Sequence, residues 1–196
     1  MSKKSWNWRD YISPDVQAVQ ESLNGWHREL ISIPAIIVPC VHLDQKIPMN
    51  APGTLLATGY HSKDTQANVS IYLAKCWLEK IEVLTYSSKF FNRWGPARKI
   101  IFINWEDFGV IEIDLYLHLI KYIIYWLERG KTVQIGCQGG HGRTGTLIAG
   151  ILAYNEKLSG KEAIIELRKR YCKKAIESQV QENLIQTCFK ERKTNV

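Results

Sequence analysis

One segment constrains this chain more than any other: Thr132-Val-Gln-Ile135, then Gly-Cys-Gln-Gly-Gly-His-Gly-Arg143, then the apolar stretch Thr144 to Asn155. Thr132-Val-Gln-Ile135 reads as a buried strand. It feeds straight into a loop with glycines at 139, 140 and 142, and an apolar helix follows. Strand, tight glycine loop and helix in immediate succession make an anion cradle. The glycines let the backbone curl so that successive N–H groups converge, and the helix N-terminus adds its dipole in the same direction.

The rest of the chain is consistent with one α/β domain. Residues 1–30 are polar, with helical spacing from Asp15 to Leu30, and read as an N-terminal extension packed on a domain spanning 31–196. Ile33 to His42 reads as a strand interrupted by Pro34 and Pro39, and residues 43–66 as loop with a short strand at Thr54–Thr58. Asn68 to Lys80 carries Val69, Leu73, Cys76 and Trp77 at helical spacing, and Glu82–Tyr86 is a short strand candidate. Lys99–Ile103 is a buried-strand run that ends in the turn-like Asn104-Trp-Glu-Asp-Phe-Gly109. Asp114 is placed to cap a helix that runs to Arg129 and stops at Gly130. Two further helices, broken near Cys172–Ala175, fill 160–191. The expected architecture is a single domain with a central mixed, mostly parallel sheet of four to five strands flanked by helices.

Composition excludes several classes. The five cysteines are irregularly spaced with no CxxC pair, so neither a zinc site nor a disulfide framework is suggested. Free thiols point to a reducing, cytoplasmic setting. The lysines near the N-terminus have no apolar stretch behind them, and the most apolar runs, Leu115–Leu127 and Thr144–Asn155, are too short to span a bilayer. The formal charge is +7, and residues 157–196 hold ten Lys or Arg against five Glu. Such a region reads first as a solvated helical face. It also allows an acidic or nucleic-acid ligand, above all through Arg168-Lys-Arg-Tyr-Cys-Lys-Lys174.

The residue types within the cradle specify chemistry. Arg143 can hold two phosphate oxygens in a fork that lysine cannot reproduce. Cys137, at the mouth of a positive loop, sits in a field that favours the thiolate, the competent nucleophile. Cys137 and Arg143 stand in Cys-x5-Arg spacing, followed by Thr144, and the whole loop resembles that of the cysteine-dependent protein tyrosine phosphatase superfamily, in its dual-specificity-like branch.

The resemblance implies a set of roles. Cys137 is the nucleophile, Arg143 the phosphate clamp, and Gln138, Gly139, Gly140, His141 and Gly142 line the phosphate loop. Thr144 supplies a hydroxyl to the leaving sulfur. Trp105-Glu-Asp107, thirty residues before Cys137, is similar to the superfamily's acid loop, which makes Asp107 the general acid and then base. Glu177-Ser-Gln-Val-Gln181 is similar to the segment whose glutamine guides water, making Gln181 the water guide and Gln179 a weaker candidate. Two departures stand out: Gly136 replaces the usual histidine before the cysteine, and Glu106 the usual proline of the acid loop.

The implied mechanism runs through a phosphocysteine and needs neither metal nor cofactor. The expected substrate is phosphotyrosine, with phosphoserine and phosphothreonine, in proteins. The alternatives are an RNA 5′-phosphatase or triphosphatase, or another non-protein phosphate ester phosphatase, on the same scaffold, and a phospho-binding module without turnover. Positions 138 and 141 carry no lysine, which weighs against an inositol phosphate. His141 and Gln138 are expected at the rim, and Cys172 and Cys188 read as small buried hydrophobes.

Overall fold

The computed structural model describes residues 40, 42–60, 67–78 and 99–190. By contacts the chain divides into two compact units, 1–40 and 41–196. The expected extension, its boundary at residue 30, most of the 33–42 strand and the Glu82–Tyr86 strand lie outside the described residues.

Among the described residues the second unit has five strands: β1 (Gln45–Ile47), β2 (Thr54–Thr58), β3 (Val69–Tyr72), β4 (Lys99–Phe102) and β5 (Thr132–Gly136), in the order β1-β2-β5-β3-β4. β1 runs antiparallel to β2, and the other pairings are parallel. This is the mixed, mostly parallel sheet the sequence implies.

β3 and β1 are corrections. β3 occupies a stretch whose apolar spacing reads as helix, yet all four of its residues are buried. A strand flanked by β5 and β4 is covered on every side, so its pattern is continuous rather than alternating. β1 lies within the segment read as loop.

Four helices follow among the described residues: α1 (Ile113–Leu127), α2 (Gly142–Glu156), α3 (Gly160–Arg170) and α4 (Gln179–Cys188). Glu112, without a side-chain bond, occupies the N-cap of α1, while Asp114 sits inside the first turn, where its charge still complements the helix dipole. The backbone turns after α1 at Gly130, whose φ is +69°. α2 packs against α1, α3 and α4 and is buried at twelve positions from Gly142 to Ala153, which explains its continuously apolar sequence. Tyr116 of α1 is fully buried and donates from its hydroxyl to the Thr146 carbonyl of α2 at 2.6 Å. α3 opens on a capping box between Ser159 and Glu162. No helix of the described residues is long and apolar enough to cross a membrane.

The parallel pairing matters for the site. β2, β3, β4 and β5 point the same way, so the loops after all four strands gather at one edge, where open α/β sheets bind ligands. Trp77, Asp107 and Cys137 follow β3, β4 and β5 and therefore share that edge.

Candidate active site

β5 is the central strand and delivers Cys137, 2% exposed, directly into the glycine loop. The loop reverses at Gly140, whose φ of +79° suits glycine. A Cβ there would also lie 3.0 Å from the Tyr171 hydroxyl and 3.1 Å from both the His42 Cβ and the Thr58 carbonyl. Tyr171 donates its hydroxyl to the Gly140 carbonyl, tying the loop to the residue that follows α3. Gln138 and Gly139 are exposed at the rim, and the Gln138 carbonyl accepts from the Tyr60 N–H at 2.9 Å.

Arg143, in the first turn of α2, is 5% exposed and reaches across to the loop after β4. Its Nη1 donates to the Trp105 carbonyl at 2.9 Å, and its Nη2 meets Asp107 Oδ1 at 2.9 Å. Among the described residues, its Nε is buried with no hydrogen-bond partner, and so is Thr144 Oγ1. Buried donors left unmade cost about 1–3 kcal/mol each, so such groups call for a ligand or a functional reason.

The segment 105–109 is fixed at both ends. The Trp105 indole is buried and donates to the Gly109 carbonyl at 2.8 Å, closing the turn around Asp107. Phe108 holds a left-handed φ of +55°, and its carbonyl accepts from Ser178 Oγ, the N-cap of α4, at 2.6 Å. Gln181 is fully buried between the two loops: its Nε2 donates to the Gly109 carbonyl at 3.4 Å, and its Oε1 accepts from the Glu177 N–H at 3.0 Å. A Cβ at Gly142 would stand 2.6 Å from Glu177 Oε2 and 3.2–3.3 Å from the Gln181 amide, so both side chains press on the phosphate loop. Burial, and then the Asp107 charge, push the Glu177 carboxyl up; the Gly142 N–H and Arg143 partly offset this.

The structure thus brings together Cys137, Gln138, Gly139, Gly140, Gly142, Arg143, Thr144, Asp107 and Gln181. It does not bring in Gln179, which is exposed and donates to Asn183 at 3.0 Å.

His141 is the N-cap residue of α2, and its Nε2 lies 2.9 Å from His42 Nε2. Burial, followed by the charges of His42 and Lys174, lowers the His141 pKa; burial also lowers that of His42.

Trp77 is the residue that sequence reasoning missed. Its Nε1 donates to the Cys137 carbonyl at 2.9 Å. A Cβ at Gly136 would lie 2.7 Å from Thr58 Cγ2 and 3.0 Å from Trp77 Cζ2. The indole occupies the space a side chain at 136 would need, and the glycine departure is its counterpart. Only the coincidence of Gly136 with an upstream tryptophan could have signalled this, and the helical reading of 68–80 hid it.

The basic stretch is largely satisfied internally. Arg168 pairs with Glu182 at 2.8 Å, Lys169 with Glu166 at 2.8 Å, and Arg170 with both Glu156 and Glu166 at 2.6 Å and 3.3 Å. Lys173 and Lys174 are exposed.

The fold is shared with solved phosphatases. Tk-PTP in its active form superposes with a TM-score of 0.55 at 22% identity, covering 74% of this chain and 95% of that one. Kinase associated phosphatase, with its catalytic-site cysteine changed to serine, gives 0.59 at 16%, covering 74% and 92%. PTPMT1 in complex with PI(5)P gives 0.51 at 16%, covering 68% and 88%. Among curated proteins, protein tyrosine phosphatase domain-containing protein 1 of Bos taurus is 36% identical over 95 residues, which are 47% of this chain and 11% of that much longer protein.

The chain has the fold of the protein tyrosine phosphatases. It is also similar to an uncharacterized protein of Methanocaldococcus jannaschii, 32% identical over 124 residues, or 62% of this chain and 76% of that one. A second uncharacterized protein of the same organism is 30% identical over 125 residues, covering 63% and 71%. No family model matches the chain.

Proposed function

We propose that this chain is a cysteine-dependent phosphatase that hydrolyses phosphotyrosine, and also phosphoserine and phosphothreonine, in proteins. The observation that carries this reading is Arg143: one buried guanidinium links the acid-loop carboxylate to the phosphate loop and keeps a buried Nε donor without a partner. A phosphoryl group on the loop amides would satisfy Nε and take Nη2 from Asp107, forming the bidentate fork.

Cys137 Sγ then attacks phosphorus in line while Asp107, protonated in that complex, gives its proton to the leaving oxygen. The fork and the loop amides hold the charge on the equatorial oxygens. In the second step Asp107 takes a proton from water, which Gln181 holds between the two loops, and the water oxygen displaces Cys137 sulfur from phosphorus. The Thr144 hydroxyl donates to the departing thiolate.

A protein substrate is favoured over an inositol phosphate because neither position 138 nor position 141 carries a lysine, and burial lowers the pKa of His141 beside His42. A nucleic-acid ligand has lost its main support, since Arg168, Lys169 and Arg170 are spent on internal ion pairs.

Two assays test the reading. Purified protein should hydrolyse a small aryl phosphate, with turnover abolished by Cys137→Ser and blocked by vanadate; sustained turnover by Cys137→Ser overturns the mechanism. Offered phosphotyrosine peptide beside 5′-triphosphate RNA, the protein should prefer the peptide, and a preference for RNA overturns the substrate assignment.

A further inference from the structure

His141 leaves the phosphate loop toward residues that catalysis does not use. His42, 5% exposed, precedes β1, and Cys172, 8% exposed, follows α3. Ligating atoms of His42, His141 and Cys172 lie within 4.8 Å of one another, although their positions are 99 and 31 residues apart in sequence. Three chain segments thus converge two imidazoles and a thiol on one point.

The hydrogen bonds around His42 fix its tautomer. The Gln45 Nε2 donates to the Tyr171 carbonyl at 3.2 Å, so the Gln45 Oε1 is turned to His42 Nδ1, 3.3 Å away, and must accept. Nδ1 of His42 therefore carries the proton, and Nε2 presents its lone pair to His141. An outer partner holding one ring nitrogen so that the other is free to ligate is the arrangement around metal-bound histidines. Burial lowers the pKa of both imidazoles, and the neutral imidazole is the form that binds metal. The Lys174 N–H donates to Cys172 Sγ at 3.4 Å, while the Lys174 ammonium works against a cation near His141.

We propose that His42, His141 and Cys172 form a structural site for a divalent transition metal of the zinc class, fastening the phosphate loop to the segment before β1 and to the end of α3. The N,N,S donor set selects a borderline ion such as Zn²⁺ over Mg²⁺ or Ca²⁺, which want oxygen. Bonds of about 2.0–2.1 Å to nitrogen and 2.3 Å to sulfur put tetrahedral ligand atoms roughly 3.3–3.6 Å apart. The two Nε2 atoms, 2.9 Å apart, need part only slightly. On binding, the proton between the imidazoles moves to His141 Nδ1, the Cys172 thiol releases its proton to solvent, and water fills the fourth position. The site is separate from Cys137 and takes no part in phosphoryl transfer.

The test uses the whole chain, stripped with a chelator, without substrate, so its outcome is independent of the phosphatase assignment. Zn²⁺ is titrated in competition with a chromophoric chelator, and Co²⁺ is followed by absorption. The expected result is one equivalent bound, a thiolate-to-cobalt charge-transfer band with tetrahedral d–d intensity, and a zinc-dependent rise in thermal midpoint. All three persist in Cys137→Ser. Affinity falls by at least about ten-fold in His42→Gln and Cys172→Ser, and the charge-transfer band disappears in Cys172→Ser. If His42→Gln fails to fold, the parent spectrum and Cys172→Ser decide. Absence of stoichiometric binding to the parent, loss of binding in Cys137→Ser, or full retention in Cys172→Ser overturns the proposal.

Discussion

Restoring the histidine that resembling loops carry before their cysteine should harm this protein. At Gly136 even a Cβ meets Thr58 and the Trp77 ring. Overpacking of that kind costs about 1–3 kcal/mol, so Gly136→His should lower the urea midpoint, and an unchanged midpoint would mean that Trp77 can move aside. The Trp77 bond to the Cys137 carbonyl holds the start of the loop in place of that histidine.

Glu177 makes a second prediction at the same scale. Its folded pKa is raised, first by burial and then by Asp107. Below the ordinary glutamate range both folded and unfolded states are protonated, and the group contributes nothing. As pH rises through the window up to the raised folded value, the unfolded state releases its proton first, and the folded protein loses stability. Glu177→Gln cannot ionise and keeps an oxygen for the Gly142 N–H. Urea midpoints from about pH 4 to about pH 8 should show the variant gaining on the parent as pH rises; a constant difference would contradict this.

Two helix caps separate stability from function at the scale of elements. Ser159 caps α3, and among the described residues its hydroxyl bonds only to Glu162, whereas Ser178 caps α4 and its hydroxyl also donates to the Phe108 carbonyl. Ser159→Ala and Ser178→Ala should each cost about 1 kcal/mol in chemical denaturation. Only Ser178→Ala should lower kcat/KM for an aryl phosphate. Equal, unimpaired kinetics in both would mean that α4 does not position Asp107.

Much of this was legible in the sequence because it depends on neighbours in the chain. The β5–loop–α2 unit, the β4 strand and the break between α3 and α4 are written in local pattern. β3 was not, since all four of its residues are buried and Val69-Ser-Ile-Tyr72 is too short to set a period against the helical spacing of Val69, Leu73, Cys76 and Trp77. Trp77 and the His42–His141–Cys172 cluster were not legible either. Both arise where the parallel sheet and the return of the chain after α3 bring distant segments together, and no spacing rule covers residues 31 to 99 positions apart.

For the molecule as a whole, the parallel order of β2, β5, β3 and β4 sends their loops to one edge, and Arg143 ties two of those loops together. That tie has a consequence for ligand affinity. On the proposed mechanism Asp107 lies on the same guanidinium nitrogen that an oxyanion would use, so the carboxylate is a tethered competitor for that position. Any phosphate, vanadate or substrate must first displace it, and the apparent affinity is reduced by the fraction of molecules in which the carboxylate holds on. Because the carboxylate is half exposed, this handicap is modest and falls as salt screens the pair. Asp107→Asn should therefore bind vanadate more tightly than the parent at low salt, with the advantage shrinking as salt is added. The same variant should lose about 10²–10⁴-fold in kcat on phenyl phosphate, whose leaving group needs the proton. Titration and turnover then move in opposite directions from a single substitution, and a variant that binds vanadate no better than the parent would show that the fork is open to ligand from the start.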